Sequence, residues 1–157
     1  RPTQEKVRLA IFNILGNLVE GKKILDLYAG SGSLGIEALS RGAREALFVE
    51  QNRQACKVLK ENLAHAKIKP RARVVCHDAK QTLLKLPDKD FEIVFLDPPY
   101  SIGKLDHLFA ALTPLLKRGG VIVYEHAKTT EAPTSPGLQI FDRRLYGDTK
   151  VTFLTRI

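Results

Sequence analysis

Asp97-Pro98-Pro99-Tyr100 is where the chain concentrates groups able to do chemistry. Each proline fixes its own φ and lacks an N–H, so the loop presents carbonyl oxygens and few donors. Pro99 also holds Pro98 extended. One carboxylate, one pre-aimed carbonyl oxygen and one aromatic ring therefore share a short, rigid segment. Two acceptors match an –NH2 group with two hydrogens to give. The ring matches stacking on a flat base. The same residues would also suit a turn that merely ends a strand, so their meaning depends on what surrounds them.

Three further stretches carry polar or glycine-rich groups: Asp26 to Gly35, Glu50-Gln51 and His77-Asp78-Ala79. The first contains Gly30, Gly32 and Gly35 at Gly-x-Gly-x-x-Gly spacing. Such glycines let backbone approach a ligand and let a helix pack closely on a strand. Glu50 lies twenty residues beyond Gly30, where a carboxylate accepts hydrogen bonds from ribose hydroxyls. Asp26, Tyr28, Ala29, Gly30, Ser31, Gly32, Glu50, Gln51, Asp78 and Ala79 are thus candidate cofactor contacts. Two of them have bland alternatives. Asp26 can bond the N–H groups of the glycine turn, and Asp78 can cap the next helix.

The elements that must position these groups alternate. Thr3 can cap a helix over about residues 4–18, with Val7, Ile11, Phe12, Leu15 and Leu18 on one face. Strands are expected at Ile24–Tyr28, Ala46–Val49, Arg73–Cys76, Glu92–Leu96 and Val121–Tyr124. Helices are expected between them: about Ser33–Ser40, one capped by Asn52, a short one over Gln81–Leu86, and one carrying Leu105, Leu108, Phe109, Leu112 and Leu116 that stops at Gly119-Gly120. Alternation of this kind builds a doubly wound α/β fold with a parallel sheet covered on both faces. The segments Leu138–Leu145 and Lys150–Thr155, joined near Gly147-Asp148, suit an antiparallel hairpin on the sheet edge. All 157 residues read as one domain, with no repeat and no linker. The four chemical stretches fall at strand exits, the ligand-binding end of such a sheet.

A glycine turn followed by a strand-end acid fits both NAD and S-adenosylmethionine, since each contains adenosine. Asp26 favours the second. A carboxylate just before the glycines would repel a pyrophosphate but attract a sulfonium or amino group. Asp78 could accept from the adenine amine while Ala79 N–H donates to the ring.

These residues resemble the S-adenosylmethionine-dependent methyltransferases that act on exocyclic amines. The similarity is greatest to the bacterial family that methylates guanine N2 in 16S (small-subunit) ribosomal RNA. It rests on Arg1-Pro2-Thr3 with Val7-Arg8 and Phe12 to Leu15, on the run Asp26 to Ala43, on Asp97 to Tyr100 and on Tyr146 to Thr149. Tyr28 stands where phenylalanine is more usual. The resemblance implies a Rossmann-like methyltransferase fold with a mostly parallel seven-stranded sheet. It implies S-adenosyl-L-methionine against Asp26, Gly30–Gly32, Glu50 and Asp78. Asp97 and the Pro98 carbonyl would hold the target amine, Pro99 would stiffen their loop, and Tyr100 would stack on the base. Arg1, Thr3 and Arg8 would lie near the mouth, on the substrate side. The family carries a short segment before Arg1, and a first residue that is not Met agrees with a missing native N-terminus. The partner implied is small-subunit rRNA or a partly assembled small ribosomal subunit, in the cytoplasm, with no metal and no membrane.

Three other readings share parts of this pattern. A DNA adenine-N6 or protein-glutamine methyltransferase can use an acid-Pro-Pro-aromatic loop, a nicotinamide oxidoreductase can use the glycine turn, and a non-catalytic RNA-binding module can keep a pocket without using it. Composition narrows the partner. Twenty-five Lys and Arg against seventeen Asp and Glu leave a net charge of +8, which favours an acidic partner such as nucleic acid. The basic residues fall in three groups: Arg53, Lys57, Lys60, Lys67, Lys69, Arg71 and Arg73; Arg1, Lys6 and Arg8; and Arg143, Arg144 and Lys150. Cys56 and Cys76 are too few for a metal motif or a disulfide framework and are expected as separate small core residues in a reducing compartment.

Overall fold

The computed structural model describes residues 4–99 and 105–157. Arg1, Thr3 and Tyr100, all named above as candidate site residues, lie outside the described residues. The chain runs α1 (Gln4–Leu15), β1 (Lys23–Leu27), α2 (Ser33–Ser40), β2 (Glu45–Val49), α3 (Arg53–Ala66), β3 (Ala72–Val75), α4 (Ala79–Lys85), β4 (Phe91–Leu96), α5 (Asp106–Leu112), β5 (Leu116–Ala127), β6 (Leu138–Tyr146) and β7 (Thr149–Arg156). The strands form one seven-stranded sheet in the order β3-β2-β1-β4-β5-β7-β6. The first five are parallel, β7 returns antiparallel to β5, and β6 closes the hairpin on the edge.

The central strands read as near-continuous apolar runs because both faces of the sheet are covered. Strand alternation sorts them into two cores. Ile24, Ala46, Phe48, Ile93, Phe95, Val123 and Phe153 face α1, α2 and α3. Leu25, Leu27, Leu47, Val94, Leu96, Ile122 and Leu154 face α4 and α5.

Three boundaries differ from expectation. The first helix ends at Leu15 and continues as a 3-10 turn over Gly16–Val19, which turns Leu18 out to solvent. The helix after Leu105 ends at Leu112; Leu116 begins β5, so Gly119-Gly120 sit inside a strand and not at a helix end. The register of β4 on β5 shifts between Phe91 and Ile93, and this irregular stretch accommodates the two glycines. Cys76 lies beyond β3 and is exposed.

The cysteines are corrected more fundamentally. Cys56 on α3 and Cys76 are bonded to each other as a disulfide, with Cα atoms 6.2 Å apart. The crossover through α3 returns the chain to β3 beside the first turns of the same helix. Sequence separation therefore says little about their distance in space.

Gly35 is the tightest joint between helix and sheet. A Cβ there would stand 2.3 Å from Cε2 and 2.7 Å from Cζ of Phe48, whose ring is fully buried. It would also stand 3.0 Å from Asp26 Oδ2. Neither neighbour can yield without shifting the strand behind it. Gly35→Ala is expected to destabilise the fold by about 1–3 kcal/mol, read as a drop in denaturation midpoint at unchanged m-value. An unchanged midpoint would show that α2 lifts off the sheet at no cost.

Candidate active site

The exits of β2, β1, β4 and β5 open into one cleft of about 870 Å³, in the size range of small-molecule sites. It lies where the strand order reverses on either side of β1, the usual ligand position in open α/β sheets. Tyr28, Glu50, Gln51 and Asn52 line one end, Asp97, Pro98 and Pro99 the middle, and Tyr124 to Ala127 with Thr130 and Thr149 the other end. Gln4 and Val7 of α1 flank it.

The first end is built by a strained turn. Tyr28 has φ 60°, a left-handed conformation that bulky residues rarely adopt. It reverses the chain so that Ala29 N–H donates to Val49 O at 3.0 Å and Gly32 N–H to Ala29 O at 2.8 Å. Gly30 N–H then donates to Glu50 Oε1 at 2.8 Å, and Asn52 N–H to Oε2 at 2.8 Å. Glu50 is thereby held rigid across the β1 and β2 exits. Each of its oxygens keeps a second lone-pair direction for a ligand. At Gly30 a Cβ would meet nothing within 4 Å, so the turn leaves open space beside that carboxylate. Burial, and then the charge of Asp78, pushes the Tyr28 phenol up to about 12.

Asp26 is not among the residues that line the cleft. It is 2 % exposed, on the same sheet face as its register partners Phe48 and Phe95, and its Oδ2 accepts from Gly35 N–H at 2.9 Å. Burial raises its pKa to about 8 against the lowering effect of that hydrogen bond, with the charges of Asp97 and Glu50 adding to the rise. Through that hydrogen bond Asp26 fixes the start of α2 from below. Asp78 likewise acts as a helix cap, its Oδ1 accepting from Gln81 N–H at 2.9 Å, and Ala79 is buried. Ser31 O accepts from Asn62 Nδ2 at 2.9 Å. Ala29, Gly30, Ser31 and Gly32 shape the turn behind Glu50, and none of the four lines the cleft.

The middle and far end hold two acids side by side. β4 and β5 are parallel with Leu96 opposite Tyr124. Asp97 and Glu125 are therefore the next residues on adjoining strand exits, and both line the cleft. Burial raises Asp97 to about 6. Burial and then the charge of Asp97 raise Glu125 to about 7. Asp97 is itself exposed in the cleft, so solvent tempers that rise. Tyr124 stacks on His126 with ring centroids 4.3 Å apart. The two nitrogens of His126 each lie 2.7 Å from a threonine hydroxyl, Nδ1 from Thr130 and Nε2 from Thr152. Burial holds the His126 pKa below its usual value, so the ring stays neutral and orders the loop after β5.

Tyr124, Glu125 and His126 escaped the sequence reading. The signal was present: an acid at the end of an apolar strand, the same pattern that marks Asp97. Arg8 turns toward α2, with Nε 3.8 Å from Glu37 Oε1, while Gln4 and Val7 of the same helix line the cleft. The basic groups do not merge into one surface either. Arg71 turns inward to the carbonyls of Leu39 and Ala43, and Arg73 pairs with Asp88. Arg143 and Lys150 pair with Glu131, and Arg144 with Asp142. Arg53, Lys57 and Lys60 remain exposed along α3, toward the sheet edge opposite Arg143 and Arg144. Among the described residues no cluster of His, Cys, Asp and Glu could hold a metal ion, and no helix is long and apolar enough to cross a membrane.

The strand order, the antiparallel hairpin and the acid-bearing exits define a Rossmann-like methyltransferase fold. Residues 1–155 match the family described as conserved hypothetical protein 95, and the chain belongs to that family. It is 39% identical over 156 residues to YlbH, a proposed rRNA methyltransferase of Bacillus subtilis, covering 96% of this chain and 85% of that protein. It is 37% identical over 138 residues to the ribosomal RNA small subunit methyltransferase D of Escherichia coli, covering 88% and 67%. A solved structure of a conserved hypothetical protein from Streptococcus pyogenes superposes with a TM-score of 0.89 at 37% identity, covering 96% of this chain and 95% of that one.

Proposed function

We propose that this protein transfers a methyl group from S-adenosylmethionine to the exocyclic N2 amine of a guanine in small-subunit rRNA, as free RNA or in a partly assembled subunit in the cytoplasm. The observation that carries this reading is the placement of Glu50, braced by the Gly30 N–H, and the Asp97-Pro98-Pro99 loop in one cleft. The name of the Escherichia coli relative supports the rRNA substrate.

The residues present suit the cofactor. Glu50 lines the cleft and offers free lone pairs to ribose hydroxyls, and no side chain stands within 4 Å of where a Gly30 Cβ would be. When bound, S-adenosylmethionine supplies a methyl group activated on a cationic sulfur. The chain's own task is alignment and electrostatics. The amine lone pair of guanine is delocalised into the ring. Hydrogen bonds from its two N–H groups to Asp97 and to the Pro98 carbonyl favour a pyramidal nitrogen and localise that pair. The Asp97 carboxylate also faces the positive charge that develops on nitrogen. Tyr100 follows directly in the chain and supplies a ring for the base. Taking the base out of its stack costs a few kcal/mol, least at a loop or mismatch. Arg53, Lys57 and Lys60 offer phosphate contacts, so affinity should fall as salt rises.

Incubation with labelled S-adenosylmethionine and small ribosomal subunits or their RNA, followed by digestion, should yield N2-methylguanine. Folded, cofactor-binding protein that leaves N2-methylguanine undetected would refute the assignment. Parallel incubations with DNA and with peptide separate adenine-N6 and glutamine transfer from it.

A further inference from the structure

We infer that Glu125 reads the N1–H of the target guanine and so sets base identity, a role that rests on the function proposed above. An exocyclic amine held by Asp97 and Pro98 does not by itself select guanine, because adenine and cytosine carry such amines too. What separates guanine is the donor next to its amine: N1–H and N2–H2 stand side by side on one edge. Adenine presents an acceptor, N1, beside its amine. A site that selects guanine therefore needs a second acceptor adjacent to the first.

Glu125 is that acceptor. The β4–β5 register sets it beside Asp97 at the neighbouring strand exit, and both open into the cleft. Among the described residues its carboxylate has no hydrogen bond and no salt bridge, so its lone pairs are uncommitted. The lysine on the adjoining strand is otherwise engaged. Lys150, opposite His126 in the β5–β7 register, donates to Glu131 Oε1 at 2.8 Å and to Thr130 O at 3.2 Å. Glu125 shares its end of the cleft with the stacked pair Tyr124 and neutral His126, which neither neutralises it nor takes its hydrogen bonds. A carboxylate there accepts from guanine N1–H and meets adenine N1 acceptor to acceptor.

The test uses small-subunit rRNA, free and assembled into small subunits, carrying guanine or, through a ligated synthetic segment, 2-aminopurine at the position that the wild-type protein methylates. 2-Aminopurine keeps the methyl-accepting amine but replaces N1–H with an acceptor. Wild-type protein should prefer guanine by about 30-fold or more in kcat/KM, the scale of a lost hydrogen bond to a charged group. Glu125→Gln should lower kcat/KM on guanine by about tenfold or more, and its amide, able to donate to the 2-aminopurine N1, should bring the two substrates within about threefold. The fluorescence of 2-aminopurine on unstacking gives a second readout without transfer: Glu125→Gln should bind the modified RNA more tightly than wild type does. Affinity for S-adenosylhomocysteine should be the same in both proteins, which controls for folding. If wild type methylates guanine but the variant keeps the wild-type preference, the role of Glu125 is wrong while the functional assignment stands. If wild type methylates no guanine, the assignment itself falls and takes this inference with it.

Discussion

Asp97→Ala should reduce methyl transfer on the order of 10³-fold while leaving cofactor affinity within about tenfold of wild type. The substitution removes one of the two acceptors proposed for the amine and also the charge that faces the developing cation. Glu50 sits two strands away, across β1, and its hydrogen bonds run to Gly30 and Asn52, not to Asp97. Asp97→Asn separates the two effects. The amide oxygen can still accept a hydrogen bond but carries no charge, so the loss should be smaller, about 10–100-fold. Single-turnover transfer to small subunits, alongside titration of S-adenosylhomocysteine, measures both quantities. Activity in the alanine variant within tenfold of wild type would remove Asp97 from the chemistry.

The same acid sets a pH dependence. Asp97 is raised to about 6 by burial, and Glu125 to about 7 by burial and by its neighbour's charge. Both must be ionised to accept from guanine, so kcat/KM should climb between pH 5 and 8. Glu125→Gln removes a like charge beside Asp97 and should shift this climb to lower pH.

Asp26→Asn should stabilise the protein at neutral pH and above. The Asp26 carboxyl is raised from its ordinary 3.8 to about 8, burial being the largest cause. A raised folded value means that the unfolded chain ionises first. The group's contribution to stability is therefore complete below about pH 4 and is lost as pH rises toward 8, at up to about 1.4 kcal/mol per pH unit. Asparagine keeps an oxygen for the Gly35 N–H and does not ionise. The gain should be about 2–4 kcal/mol at pH 8 and under about 1 kcal/mol at pH 4.5. Urea unfolding at both pH values gives the difference, and a gain equal at both would refute ionisation as the cause. A group kept at a cost in stability is the ordinary mark of a functional residue.

Much of this architecture is legible along the chain. Doubly buried strands show as apolar runs, glycines mark the turn after β1, and Asp97-Pro98-Pro99 and Glu50 stand at strand exits where polar residues have no structural duty in a core. These are local signals, carried by residues whose conformation depends mainly on near neighbours. Gly119-Gly120 show the limit of that logic. Glycine punctuates a helix end in isolation, yet both residues lie inside β5, in the irregular stretch between its Leu116 and Val121 pairings with β4.

Partnership across the fold obeys different physics. Which exits become neighbours depends on strand order, and only the β4–β5 pairing sets Glu125 beside Asp97. Whether a strand-end acid faces ligand or backbone depends on what packs against it; the approach of α2 turned Asp26 to Gly35 N–H and made it a brace. Cys56 and Cys76 met because a helical crossover returned the chain on itself. Residue type and spacing thus specified the repertoire of chemical groups. The pairing of distant segments, driven by burial of the two sheet faces, assigned each group its partner.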